Sequence, residues 1–225
     1  MNDSGNLSDK IRKTRAKQQV IMIAFLFCII KLITGIISYN LASNVLKDQL
    51  VFKCKSIALT VASVIASDSD GYKDFLQTLD MDSEYYIKTK ELMMNIKKAN
   101  ESDVAYIYTE TRVSSDMMMY VIGGEDPSSP LYTAPGVQDI LVNANKEAYE
   151  KMLPTAGAHF ENTEYGVRLS SYAPITHKDT GEFLGLVGVD ISKNQYDDVI
   201  NIILFETIVS IMIGIIFFGL IVLLF

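Results

Sequence analysis

The chain has little that would cross-link it or hold a metal. Its 225 residues include 2 cysteines and 2 histidines. Cys28 lies in a long apolar run and Cys54 beyond it; on one continuous helix their 26-residue separation is about 39 Å, too far for a disulfide within the chain. A Cys54–Cys54 bond across a dimer stands beside the simpler reading of an inert thiol. His159 and His177 are far apart and lack partners at zinc-site spacing. Asp68-Ser69-Asp70-Gly71 hints at a calcium loop, but an EF-hand register puts Ala66 and Gln77 at the first and twelfth positions, where neither is a ligand. It reads better as a helix stop. The sequence also has no phosphate-cradling glycine loop, no H-E-x-x-H and no activated-nucleophile arrangement. An enzyme is therefore not expected, and no cofactor is called for.

Basic residues are scarce in the middle of the chain. From Leu41 to Phe205 there are 24 Asp and Glu against 14 Lys and Arg, a balance of −10 within an overall charge of −7. Such an acidic block excludes nucleic acid as a partner, because phosphate binding needs a basic face.

What the chain does have is two long apolar runs, Val20–Leu41 and Thr207–Phe225. Each approaches the roughly 20 residues that a helix needs to cross a bilayer. Lys10, Arg12, Lys13, Arg15 and Lys17 precede the first run, which places the N-terminus in the cytoplasm and the acidic block outside. The first run is too long for a signal-peptide core, and Tyr39-Asn40-Leu41-Ala42-Ser43 is a poor cleavage site, so it reads as an anchor. The expected division is a cytoplasmic basic tail over residues 1–19, also a contact for anionic membrane lipid, and a first span over 20–41. An extracellular domain over 42–200 and a second span over 201–225 follow, with both termini inside. Lys31 sits within the first span, where a charge costs roughly 2.5–3.5 kcal/mol on insertion scales. Glu206 opens the second span at a similar depth, so a Lys31–Glu206 pair coupling the two helices stands beside a Lys31 that snorkels into water.

Helical spacing without Gly or Pro from Leu41 to Ala66 continues the first span as one long helix, stopped at Ser67–Gly71. A short helix over Tyr72–Leu79 and another over Ser83–Ala99, with Ser83 as N-cap, come next. The period then changes to two. Val104–Thr109 and Met117–Ile122 read as a hairpin, with Glu110–Asp116 as its polar turn. Gly123–Gly136, rich in Gly and Pro, is an irregular loop and a candidate lid. Val137–Met152 is helix-like, and Phe160 begins a short strand before a turn at Asn162–Gly166. Val167–Ile175 and Phe183–Ile191 are strands joined by a tight turn at His177–Gly181. The second is apolar enough to be central. From Ser192 the chain turns helical. The fold class is α+β: an antiparallel sheet of about five strands, with helices packed on it, between two transmembrane helices.

Tyr106-Ile107-Tyr108-Thr109, Arg168-Leu169-Ser170-Ser171-Tyr172-Ala173-Pro174-Ile175 and Gly185-Leu186-Val187-Gly188-Val189-Asp190-Ile191-Ser192 resemble the extracytoplasmic Cache (PAS-like) sensor domains of bacterial receptors. The order of membrane helix, long helix, domain and membrane helix resembles them over the whole chain. The resemblance implies a small-molecule sensor, a homodimer joined through the Leu41–Ala66 helix, and a cytoplasmic signalling module in cis or trans. A histidine kinase, chemoreceptor or cyclic-dinucleotide module does not follow the second span here, so a fragment of a longer receptor is the favoured expectation. Gly123-Gly124-Glu125-Asp126-Pro127 has a superficial GGDEF look in the wrong order, and is a loop.

Alternation groups the candidate ligand-binding residues. Tyr106 and Tyr108 share one strand face; Arg168, Ser170 and Tyr172 share another; Asp190 alternates with Val187, Val189 and Ile191; and Tyr120 lies on the hairpin partner. Arg168 offers a planar fork to a ligand carboxylate, the tyrosines offer walls and hydroxyls, and Asp190 inherits by resemblance a part in amino-acid recognition. The plain alternative is that Arg168 and Asp190 pair with each other and the tyrosines are core. At the level of function, an outer domain that binds another protein is the alternative to the sensor, and an outward-facing enzyme is a weaker one.

Overall fold

The structure, a computed structural model, describes residues 3–163 and 165–224. Of the expectations above, the first two residues of the basic tail, Glu164 in the turn at Asn162–Gly166, and Phe225 fall outside the described residues. The chain divides into two compact units, one made of Met1–Val45 and Asp198–Phe225, the other of Leu46–Asp197.

The first unit is helical. It takes the N-terminal part of α1 (Asp3–Ser67) and most of α5 (Lys193–Leu224), and 2 helices are long and apolar enough to cross a membrane. Phe27 and Phe218 bring their ring centroids to 4.6 Å between them. Lys31 does not reach Glu206. Its ammonium lies 5.7 Å from the Phe27 ring centroid, and among the described residues no ion pair joins it to the second helix. The reason is geometric: long helical side chains point back toward the N-terminus of their own helix, so Lys31 leans over the preceding turn.

The second unit is α+β. α1 ends at Ser67, α2 (Ser69–Thr78) begins almost at once, and α3 (Glu84–Ala99) follows. The Asp68 carboxylate accepts from Gly71 N at 3.3 Å and caps α2, so the Asp-Ser-Asp-Gly stop also starts the next helix. Ser83 caps α3 by accepting from Tyr86 N at 3.3 Å, as the sequence indicates. The strands are β1 (Tyr106–Arg112), β2 (Met117–Gly123), β3 (Gln138–Ile140), β4 (Thr155–Ala156), β5 (Glu161–Thr163), β6 (Gly166–Thr176) and β7 (Phe183–Ser192), with α4 (Asn143–Lys151) after β3. They form a 7-stranded antiparallel sheet in the order β3-β2-β1-β7-β6-β4, with β5 on β6. β7 is central, as its apolar run requires.

Two segments depart from expectation. The helix expected over Val137–Met152 is split, because the open edge of β2 takes Gln138–Ile140 as a ladder partner and only Asn143–Lys151 is helical. The expected polar turn Glu110–Asp116 shrinks, because β1 continues to Arg112, paired with both β2 and β7. A bulge between Thr109 and Glu110 accommodates this, and the Thr109 hydroxyl accepts from Ile122 N at 3.0 Å there.

The sheet buries both faces. One packs on α1–α3 through Val61, Ile65, Tyr72, Phe75, Met93, Ile107, Val187 and Val189. Cys54 lies in this layer at 0% exposure, and burial pushes its thiol up to about 12, which makes it inert and unavailable to a partner chain. The other face is covered by α4 through Met118, Leu141, Ala148, Tyr149, Tyr172 and Leu186. Each such buried side chain contributes about 1.5–3 kcal/mol.

Gly185 fixes how closely β7 approaches β1. Its φ is +154°, and a Cβ there would lie 2.4 Å from the carbonyl oxygen of Glu110. Gly185→Ala is expected to destabilise the chain by about 2–4 kcal/mol through strain and forced separation of the strands. Circular-dichroism melts of the purified protein test this, and an unchanged midpoint would refute it.

Candidate functional site

The register of the ladders gathers polar groups on the face under α4. Tyr106 and Ser170 flank Asp190 from β1 and β6, and Tyr108 and Tyr172 flank Gly188. Glu110 stands opposite Tyr120 of β2. Gly188 is what lets the two tyrosines meet: a Cβ there would sit 2.5 Å from the Tyr108 ring. In its absence the hydroxyls of Tyr108 and Tyr172 lie 3.2 Å apart, and Tyr108 donates to Asp190 Oδ1 at 3.3 Å.

Arg168 is 6% exposed and Asp190 3%. Nη1 of Arg168 meets Asp190 Oδ2 at 3.4 Å, and Nη2 donates to the carbonyl of Tyr165. The guanidinium stacks 3.7 Å from the centroid of Tyr106 and 5.1 Å from that of Tyr165. Burial pushes the Asp190 carboxyl above its ordinary range, against the bonds from Ser170, Arg168 and Tyr108 that favour its charge. Losing one partner of such a buried pair costs about 3–5 kcal/mol.

Tyr106, Tyr108 and Tyr120 wall one side of a small cavity, about 30 Å³, which is room for little more than a water. Arg168 and Tyr165, together with Glu125, Leu131 and Thr133 of the β2–β3 loop, complete the lining. Tyr108 meets Tyr120 edge-on at 5.3 Å, and Tyr120 meets Tyr165 the same way at 5.9 Å. Tyr106, Tyr165 and Arg168 also face a more open cleft of about 640 Å³, lined in addition by Lys97, Glu101 and Lys193. Arg168, Tyr106 and Tyr165 thus line both the small cavity and the cleft.

Of the residues expected from the sequence, Tyr106, Tyr108, Tyr120 and Arg168 line the cavity. Ser170, Tyr172 and Asp190 stand behind them, holding Arg168 and Tyr108. Tyr165 and the loop residues were not expected. Tyr165 lay hidden in a turn-like stretch, and nothing local in the sequence tells which loop residues fold back on a sheet.

Glu110 is the other unexpected member, and the alternation Tyr106, Tyr108, Glu110 was the signal that would have found it. It is 0% exposed. Asn145 Nδ2 donates to its Oε1 at 3.1 Å, while its Oε2, the Asn145 Oδ1 and the Tyr149 hydroxyl have no hydrogen-bond partner among the described residues. Burial pushes the Glu110 carboxyl up to about 8, with the charge on Asp190 adding to the effect and Asn145 opposing it. A neutral Glu110 brings a donor to a cluster short of donors, so the folded state holds the proton that the unfolded chain releases near pH 4.5. Stability is therefore fully present below that value and declines as pH rises toward about 8. Glu110→Gln, a neutral mimic, is expected to flatten much of this decline and to melt higher than the wild type at pH 8, with Asp190 leaving a residual slope of the same sign. Melts from pH 5 to 9 test it, and parallel curves for the two proteins would refute it.

The sequence matches no family model and no curated protein. Solved structures do match. The extracellular domain of mmHK1S-Z2, a protein assigned as a histidine kinase, is 16% identical with a TM-score of 0.44 over 76% of this chain and 64% of that one. The extracellular domain of vpHK1S-Z8, assigned likewise, is 12% identical with a TM-score of 0.41 over 75% and 60%. The ligand-binding domain of the Campylobacter jejuni chemoreceptor Tlp3, solved with L-valine, is 11% identical with a TM-score of 0.34 over 68% and 66%. This chain accordingly spans about two thirds or less of each of them. These similar structures are extracellular domains of proteins assigned as histidine kinases and the ligand-binding domain of a chemoreceptor.

Proposed function

We propose that the chain is a membrane-bound sensor. Its Leu46–Asp197 unit lies outside the cell and takes up a small carboxylate-bearing molecule, an amino acid or an organic acid. The observation that carries this is the placement of Arg168: a buried guanidinium, stacked between two tyrosines, at the wall of a tyrosine-lined cavity. Asp190 and the Tyr165 carbonyl occupy two of its nitrogens, and among the described residues nothing accepts from its Nε. Arginine's fork suits a carboxylate, and the surrounding rings exclude water and strengthen the contact.

A cavity of about 30 Å³ is the closed form. A ligand therefore binds an arrangement in which the Tyr165 layer and the β2–β3 loop have moved outward, and it shifts the population toward that arrangement by its difference in affinity. The strand behind the cavity is β7, and α5 starts at Lys193, the residue after β7 ends. On the opposite face of the sheet, Ser171 of β6 donates to Val51 O of α1 at 3.5 Å. Both helices that carry apolar spans are thus in register with the strands of the site. The reading places both termini in the cytoplasm, the N-terminal tail against anionic lipid, two chains side by side through α1, and a signalling module in cis or in trans. Shifts of about 1–2 Å in such helices suffice for a signal.

A thermal-shift screen of amino acids and organic acids on the purified protein tests the proposal. A ligand present at about a hundredfold above its Kd is expected to stabilise by roughly 2.7 kcal/mol, a rise of several degrees. Arg168→Lys keeps the charge but loses the fork, and is expected to weaken the response at least roughly tenfold. No response to any of the compounds, together with a protein that co-purifies through the outer unit, would favour the protein-binding alternative.

A further inference from the structure

We infer that Glu125, on the loop over the cavity, is the acceptor for a ligand ammonium, so that the cavity takes zwitterionic amino acids in preference to plain carboxylic acids. This rests on the reading of the cavity as a ligand site.

The lining of the cavity carries both signs of charge: Arg168 is its cationic residue and Glu125 its acidic one, while Asp190 is not part of the lining. Asp190 is spoken for: one oxygen receives Arg168 and the other receives Tyr108. An ammonium that reached it would have to displace the same guanidinium its own carboxylate needs. Glu125 has no such conflict. It is 9% exposed, Lys97 pairs with its Oε1, and its Oε2 has no partner among the described residues. An accepting oxygen with room for a further donor, on a residue that lines a tyrosine-walled space, is the complement of a primary ammonium.

The carboxylate is also held in place. Lys90, on α3, donates to the Glu125 carbonyl at 2.8 Å and to the Gly123 carbonyl at 3.2 Å, with its ammonium 4.6 Å from the Tyr132 ring centroid. Gly124 N donates to Ile107 O at 2.8 Å. This end of the loop is therefore pinned to α3 and β1, and the mobile part of the opening falls to the stretch that carries Leu131 and Thr133. Lys97 neutralises Glu125 in the unliganded state without filling its second oxygen, so the ligand adds a bond and does not have to break one.

The test uses the purified full chain and the twenty proteinogenic L-amino acids, each beside the carboxylic acid of the same skeleton without the amine. At least one amino acid is expected to raise the melting temperature, and its deaminated counterpart to need roughly ten- to hundredfold more for the same shift. Glu125→Gln is expected to abolish that preference. Lys97→Met breaks the same ion pair from the other side and is expected to leave the amino-acid response intact or tighten it, which separates a ligand role for Glu125 from a purely structural one. If Lys97→Met and Glu125→Gln lose the response alike, the inference fails. If deaminated acids stabilise as well as amino acids, and do so through Arg168, Glu125 is not the acceptor while the cavity reading stands. If neither class has an effect, both fall.

Discussion

The double-sided burial of β7 is the constraint on which the outer unit depends. Apart from its two end residues the strand is buried throughout, so no side of it meets water and both faces of the sheet must be covered. α1, α2 and α3 cover one face, and α4 with the β2–β3 loop covers the other. A strand in that position can carry a polar group such as Asp190 only if neighbouring strands bring partners to it. Tyr108 from one side and Arg168 with Ser170 from the other do so. The polar cluster is thus a consequence of the sheet order, and the cavity forms at its margin.

The second face carries two acidic groups whose charge is costly. Burial raises both carboxyls, and the charge on Asp190 raises Glu110 further, within a layer that also holds Tyr108, Tyr149 and Tyr172. Arg168 compensates Asp190 directly, whereas no cation among the described residues pairs with Glu110, which takes a bond from the amide of Asn145. A core built for stability alone would place apolar residues there. Keeping a cation, a carboxylate and a proton-holding carboxyl side by side suits a layer that has more than one arrangement of similar free energy.

Much of this was legible in the sequence, and the reasons differ by element. The apolar run Phe183–Ile191 marks a central strand because only a strand buried on both sides tolerates it, and Ser83 marks a helix start because its hydroxyl serves an otherwise orphaned amide. The faces of β1 and β6 follow from alternation, which is why Tyr106, Tyr108, Tyr120 and Arg168 were found. Where a partner elsewhere in the chain decides, local reading fails. Glu110-Thr111-Arg112 looks like a turn, yet pairing with β2 along all three residues, and with β7 at Glu110, holds it in the sheet. Gln138–Ile140 is helix-like by itself but is captured by the free edge of β2. Lys31 and Glu206 have matching depth, but the direction of a side chain on its helix overrides depth. Asp190 bears the family resemblance, yet it is not among the residues that line the cavity and instead holds Arg168 and Tyr108, which are.

The junction of β7 with α5 has a further consequence. Ser192 ends the strand and Lys193 begins the helix, with no linker between them. One added or deleted residue at that seam would turn every later side chain of α5 by about 100° around the helix axis. Among variants of this chain, insertions and deletions should accumulate in the hairpin tips and leave that junction untouched.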